Sequence, residues 1–204
     1  MKQVIIATRN LGKAKDFEAL FRPFGYEVRT LLDIADDIDV EETGSTFEEN
    51  AILKAETVAR LLNTAVIADD SGLEIEALGG EPGVYSARYA GGEKSDSANI
   101  DKVLEKMKGI PEEKRHARFR CVLAIAVPGK ETKTFSGTCE GYILEERLGE
   151  NGFGYDPIFW VPSEGRTLAE LQPQEKAAIS HRGNAMREMQ MSLSKLLNGF
   201  DEIH

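Results

Sequence analysis

Hydrophobic and polar positions fall into two periods along the chain. Val4 to Ala7 form an unbroken apolar run, which predicts a buried strand over residues 2–7. From Gly12 onward, apolar residues recur at Ala14, Phe17, Leu20, Phe21 and Phe24, the spacing of a helix. "GYEVRTL" reads as a second strand, and "DIADDIDVEETGS" as an acidic, irregular connection. Ser45 and Thr46 each precede a glutamate by three residues, a capping-box start. The helix they open carries Phe47, Ala51, Ala55, Val58, Ala59 and Leu62 on one side. "AVIADD" predicts a short apolar strand that ends in two aspartates. "GLEIEAL" alternates until "GGEPG" breaks it, and a helix near residues 95–108 shows Ile100, Val103, Leu104 and Met107.

The period then changes to two. "ARFRCVLAIAV", a "PGK" turn and "TKTFSGTCEGYIL" predict an antiparallel meander. "GYDPIFWV" predicts a further strand, and a last helix over about 184–198 stops at Gly199 as its C-cap. Helices mixed with hairpins predict an α/β fold on a long mixed sheet. No repeat or low-complexity linker is visible, and 204 residues suffice for one sizeable α/β domain or two small lobes.

Composition narrows the function more than the fold. The formal net charge of -10 repels phosphate polymers and anionic membranes, so nucleic acid and membrane are not expected partners. A small phosphorylated ligand needs only a local group of cations. No run approaches the roughly 20 apolar residues of a membrane span, and no apolar leader follows the first lysine. Cys121 and Cys139 sit in apolar or β-like surroundings, which predicts reduced thiols in a cytoplasmic protein.

Five stretches carry candidate chemistry. Thr8 to Lys13 links a strand to a helix, where free backbone N–H groups and the positive end of the dipole favour an anion. It is not a P-loop, because Ala7, Thr8 and Ala14 stand where that motif needs glycine and Ser or Thr. Asp69 and Asp70 are adjacent carboxylates that need cations or donors to coexist. With Glu41 and Glu42 they offer what Mg²⁺ takes from a protein when substrate phosphates supply the rest. "GFGYDPIF" presents Phe153 or Tyr155 for stacking on a base and Asp156 as an acceptor. "EKAAISHRG" groups Lys176, Ser180, His181 and Arg182, with a His-Arg pair in a loop just before a helix that suits an anion or a carbonyl.

Taken in order, "TRNLGK", "EETGSTFEENAILKA", "ADDSGLEIEALGGEPGVYSARYAG", "FGYDPIF" and "EKAAISHRG" closely resemble the noncanonical purine NTP pyrophosphatases, also called inosine triphosphate or XTP/dITP pyrophosphatases. The likeness runs from residue 4 to about 190. It implies a single two-lobed domain over residues 1–204, with an elongated mixed β-sheet flanked by helices and a central cleft, and a homodimer. It implies hydrolysis of ITP, dITP or XTP to the monophosphate and pyrophosphate, with Mg²⁺ as cofactor. Thr8, Asn10, Lys13 and Lys54 would bind the triphosphate, and Arg9, Leu11 and Gly12 would join them in binding substrate, although Arg9 stands where glycine is frequent. Glu42 and Asp70 would hold the metal, with Asp70 as base for the attacking water and Glu41 and Asp69 ranked behind them. Ser71 would touch substrate, Phe153 would stack on the base, and Gly154, Tyr155 and Asp156 would complete that wall. Lys176, His181 and Arg182 would read the base, with Arg182 at its 6-keto edge.

Overall fold

The computed structural model describes residues 2–34 and 37–201, with side chains through 192. One seven-stranded sheet has the order β2-β1-β3-β4-β5-β6-β7. Its strands are β1 (Lys2–Ile6), β2 (Tyr26–Thr30), β3 (Val66–Ile75), β4 (His116–Ala126), β5 (Lys133–Ile143), β6 (Phe159–Val161) and β7 (Arg166–Thr167). β1 runs parallel to β2, with Val4 opposite Val28, and parallel to β3, with Ile6 opposite Ile67. β6 is antiparallel to both β5 and β7. The sheet is therefore mixed, as the sequence predicts. Among the described residues, no helix is long and apolar enough to cross a membrane.

The helices are α1 (Leu11–Phe21), α2 (Leu31–Ile34), α3 (Phe47–Leu62), α4 (Asp96–Lys106), α5 (Pro173–Ile179) and α6 (His181–Asp201). Local chemistry explains where three of them start. Asn10 caps α1 by accepting from the Lys13 N–H at 3.0 Å. Thr46 caps α3 by accepting from the Glu49 N–H, and Glu49 accepts in return from the Ser45 N–H and hydroxyl. Ser95 caps α4 through the Ala98 N–H.

The chain divides into two compact units. The first comprises Met1–Asp70, Cys121–Gly137 and His181–His204, and the second Ser71–Arg120 and Thr138–Ser180. The first unit is built on Val4, Ile6, Phe17, Phe21, Ile67, Leu123, Ile125, Met186 and Met189. Burying Phe17 and Phe21 contributes about 1.5–3 kcal/mol each. The second is built on Leu73, Ile75, Val103, Met107, Phe119, Ile158, Phe159 and Leu168. Cys121 and Cys139 are free, buried thiols.

Several boundaries differ from the sequence reading. Asp69 and Asp70 do not end a strand; β3 runs through both, and through Ser71 and Gly72, to Ile75. Aspartate is poor in strands, but here cations from other elements compensate the buried carboxylates, as described below. "GYDPIFWV" is not one strand either. Asp156–Ile158 forms a 3-10 turn, and only Phe159–Val161 pairs. Pro157 has no N–H for a ladder. The acidic connection after β2 begins with α2, and its residues 35 and 36 lie outside the described residues. Alpha5, β7 and the short 3-10 segments were not legible in the apolar pattern. Finally, α6 begins at His181 and passes through Gly199 to Asp201, so Gly199 is not a C-cap and His181–Arg182 is not a loop. Gly137 explains how closely β5 meets this helix. A Cβ there would collide with the His181 carbonyl and the Ala185 nitrogen.

Candidate active site

In the first unit, four elements bring charged groups to the middle of β3. The turn before α1 is shaped by Thr8, whose hydroxyl accepts from the Asn10 N–H at 3.1 Å and whose carbonyl accepts from Leu31. Arg9, Asn10 and Leu11 face solvent, while Thr8 is buried. This turn places Lys13 in the first turn of α1, with its Nζ 3.2 Å from Asp69 Oδ1. Lys54 comes from α3. It is only 9% exposed, so it is not a surface lysine. Its Nζ donates to Glu42 Oε1 at 2.9 Å and to the Asp69 carbonyl, and lies 3.9 Å from Asp70 Oδ1.

Glu42 is half-buried, whereas Glu41 is exposed. The loop that carries Glu42 is tied down by Asn50, which accepts from the Gly44 N–H at 2.7 Å. A Cβ on Gly44 would lie 2.6 Å from that same oxygen, so the close approach requires glycine. Asn50 escaped the sequence reading. Its only signal is a buried amide on the face of α3 that points back at the loop.

Asp69 and Arg182 form the deepest charged pair of this unit. Each is 1% exposed, and Arg182 Nη2 donates to Asp69 Oδ2 at 2.8 Å. Arg182 Nη1 donates to Asp16 Oδ2 at 2.7 Å. Asp16, one turn after Lys13 on α1, was also missed. His181 is buried beside Arg182 at the start of α6. Cys121 Sγ lies 4.0 Å from Asp69 Oδ2, and burial pushes its thiol up to about 12, so it is not a nucleophile at neutral pH.

These charges titrate differently. Burial pushes Asp70 up to about 6, with Lys54 pulling the other way and Glu42 adding to the rise. Burial acts on Asp69 in the same direction, but Lys13, Arg182 and Lys54 outweigh it and hold that carboxyl well below the usual range. Glu42 is lowered as well: burial opposes, and Lys54 prevails. The Lys54 ammonium is raised against its burial by Glu42, Asp69 and Asp70.

No group of three or more His, Cys, Asp or Glu side chains suited to a metal occurs among the described residues. Glu42 and Asp70 instead share Lys54, and Asp70 Oδ2 is buried with no hydrogen-bond partner among them. Two carboxylates with one unsatisfied oxygen fit a hard divalent cation that takes its other ligands from phosphate and water.

In the second unit, Ser71 is half-buried on β3. Asp156 Oδ2 accepts from Lys176 Nζ at 2.8 Å and from the Phe153 N–H at 3.2 Å. Lys176 Nζ stands 4.7 Å from the centre of the half-buried Phe153 ring, within cation–π range. Gly154 donates to Asp96 Oδ2 at 2.9 Å, with a positive φ of 60°. Tyr155 is a core residue whose hydroxyl donates to the Ser86 carbonyl at 2.6 Å, and burial pushes its phenol up. Phe153, Asp156 and Lys176 thus form one contact group here. Asp96 and Ser86 are further members that no spacing pointed to.

The model of the Ham1 family matches residues 4–192. The chain belongs to the Ham1 family. A Bacillus subtilis protein named dITP/XTP pyrophosphatase is 59% identical over 197 residues, covering 97% of this chain and 98% of its own. One of the same name from Geobacillus kaustophilus is 54% identical, with 98% of each chain covered. The solved Ham1 protein of Staphylococcus aureus is 52% identical, with a TM-score of 0.82 over 95% of this chain and 99% of that one. For a Ham1 chain, the sequence resemblance and the mixed α/β sheet therefore agree.

Proposed function

We propose that the protein hydrolyses the noncanonical purine nucleoside triphosphates ITP, dITP and XTP to the monophosphate and pyrophosphate, removing deaminated purines from the nucleotide pool. The observation that carries this reading is Asp70, a buried carboxylate pushed up to about 6 with one unsatisfied oxygen, beside a lysine that also grips Glu42. A base poised near neutral pH is ionised in the cell yet can take a proton. Two relatives above 50% identity that carry the name dITP/XTP pyrophosphatase support the same reading.

In this reading Asp70 orients a water towards the α-phosphorus and accepts its proton. Lys13, Lys54 and the turn Thr8 to Gly12 hold the triphosphate and offset charge growing on its oxygens. Glu42 and Asp70 would hold Mg²⁺, which when bound neutralises phosphoryl charge. Phe153 stacks on the base, kept in place by Asp156 and Lys176, and Gly154 and Tyr155 shape that wall. Ser71 touches the substrate. Lys176 and His181 supply donors that suit a 6-keto group and meet the adenine amine donor to donor. A mismatched buried polar group costs about 1–3 kcal/mol. The protein works in the cytoplasm as a homodimer.

The deciding experiment is hydrolysis of ITP, dITP, XTP, GTP and ATP with Mg²⁺ in ¹⁸O-water, followed by ³¹P NMR. One ¹⁸O in the monophosphate, with unlabelled pyrophosphate, is the expected result. Nucleoside diphosphate and orthophosphate would overturn it. Light scattering checks the dimer.

A further inference from the structure

We propose that Asp96, Asn99 and Ser86 are positioning residues that hold the base-stacking wall, Phe153 to Asp156, in place. This deepens the function proposed above and rests on it for the role of that wall. The residues close a ring of hydrogen bonds within the second unit. Asp96 and Asn99 lie three positions apart on α4, so they share one side of the helix. Asp96 Oδ2 accepts from the Gly154 N–H at 2.9 Å. The next residue of the wall, Tyr155, donates through its hydroxyl to the Ser86 carbonyl at 2.6 Å. That carbonyl also accepts from Asn99 Nδ2 at 3.3 Å, which returns the path to α4.

Buried, satisfied polar groups make this ring rigid. Asn99 and Ser86 are both buried. Asn99 Nδ2 also donates to the Ala87 carbonyl at 3.0 Å, and its Oδ1 accepts from the Ala90 N–H at 2.8 Å. One amide thus fixes the end of the 3-10 turn Gly83–Arg88 and the chain that follows it. Lys102, a turn further along α4, donates to the Tyr89 carbonyl at 2.7 Å. The Ser86 hydroxyl donates to the Gly83 carbonyl at 2.6 Å and accepts from the Leu73 N–H at 2.9 Å. Leu73 lies on β3 just past Ser71, so the wall is tied to the strand that carries the substrate-touching serine. Burial pushes the Tyr155 phenol up, which keeps it a donor. A site carried on a loop needs supporting bonds of this kind, since the loop by itself does not fix the plane on which a base must stack.

The test combines kinetics with a measurement that needs no turnover. Tyr155→Phe deletes one hydroxyl of the ring and Asp96→Ala one acceptor. Each is expected to raise KM for ITP by about tenfold, the scale of one buried hydrogen bond, while kcat changes little. The inhibition constant of inorganic tripolyphosphate, which has no base, stays constant in both. Asp96→Asn, whose side-chain oxygen can still accept from Gly154, restores the wild-type KM. Equal losses for ITP and tripolyphosphate, or an Asp96→Asn as impaired as Asp96→Ala, overturn the proposal. In nucleotide-free, ¹⁵N-labelled protein, amide hydrogen exchange reads the ring directly. Tyr155→Phe should speed exchange of the Gly154 N–H about tenfold, and Asp96→Ala that of the Phe153 N–H, although neither substitution touches the donor that is read. Unchanged exchange in either variant overturns the proposal. Faster exchange in a protein that turns over no triphosphate supports the ring and removes the pyrophosphatase reading instead. If Tyr155→Phe does not fold by circular dichroism, Asp96→Ala carries both measurements.

Discussion

Asp69 and Asp70 are neighbours on one strand, yet their carboxyls are driven in opposite directions. Asp69 is held well below the usual range by Lys13, Arg182 and Lys54 against its burial, while burial carries Asp70 up to about 6. The difference is one of partners. Arg182 donates directly to Asp69, whereas Asp70 has Lys54 at 3.9 Å as its ion-pair partner among the described residues. Asp69 therefore stays ionised near neutral pH, whereas Asp70 can exchange a proton there.

The first prediction is a stability gain from a functional loss. Asp70 rises from 3.8 to about 6 on folding, so between those values the folded state holds a proton that the unfolded state has released. Its contribution therefore falls as pH rises through that window, by roughly 3 kcal/mol at about 1.4 kcal/mol per unit. Asp70→Asn removes the penalty. In metal-free protein it should melt higher than wild type at pH 8 and equally at pH 3.5. Its turnover should fall by a factor of about 10²–10⁴, the scale of a lost general base. Wild-type turnover would take Asp70 out of the mechanism.

Lys54→Met should do the reverse. It leaves Glu42 and Asp70 without the cation they share, and removing one partner from a buried charge group costs about 3–5 kcal/mol. Glu42 is partly exposed, so the expected loss lies near the lower figure. Urea unfolding at pH 7.5 measures it, and a loss below about 1 kcal/mol, the scale of an exposed pair, would contradict the burial of this group.

Gly44→Ala tests how the Glu42 loop is held. The new Cβ cannot share space with Asn50 Oδ1 or Glu49 Cβ, so the loop and Asn50 must move apart. Mg²⁺ affinity during turnover should weaken by about tenfold while the midpoint of thermal unfolding moves little, because the surrounding loop is largely exposed. Asn50→Ala should reproduce the effect. Unchanged Mg²⁺ dependence in both would separate Glu42 from the metal.

Phe153→Ala should raise KM for ITP by about 1–3 kcal/mol in binding terms, the usual worth of stacking one base. Competition by inorganic tripolyphosphate, which has no base, should be unaffected in the same variant. Equal losses for both ligands would move Phe153 away from the base.

The sequence alone carried the family and most of the frame. Helical spacing after Gly12, the Ser45–Thr46 cap and the β-rich stretch after residue 116 rest on neighbours within a few positions, and those neighbours are printed in the chain. Lys13, Lys54, Asp70, Phe153 and Lys176 stood out as candidates because a long motif surrounds each. Tertiary structure decided what depends on distant partners. Two aspartates ordinarily break a strand, and β3 continues through them because cations from α1, α3 and α6 reach it. Arg182 reads as a loop arginine until α6 starts at His181 and carries it onto Asp69, 113 positions away in sequence. Asp16 and Asn50 look like ordinary helix-surface residues, since only a folded chain shows that one receives Arg182 and the other clasps Gly44. Periodicity is a local property and survives in one dimension. The pairing of buried charges is a property of three, because the energy of each depends on which other charges lie within a few ångströms.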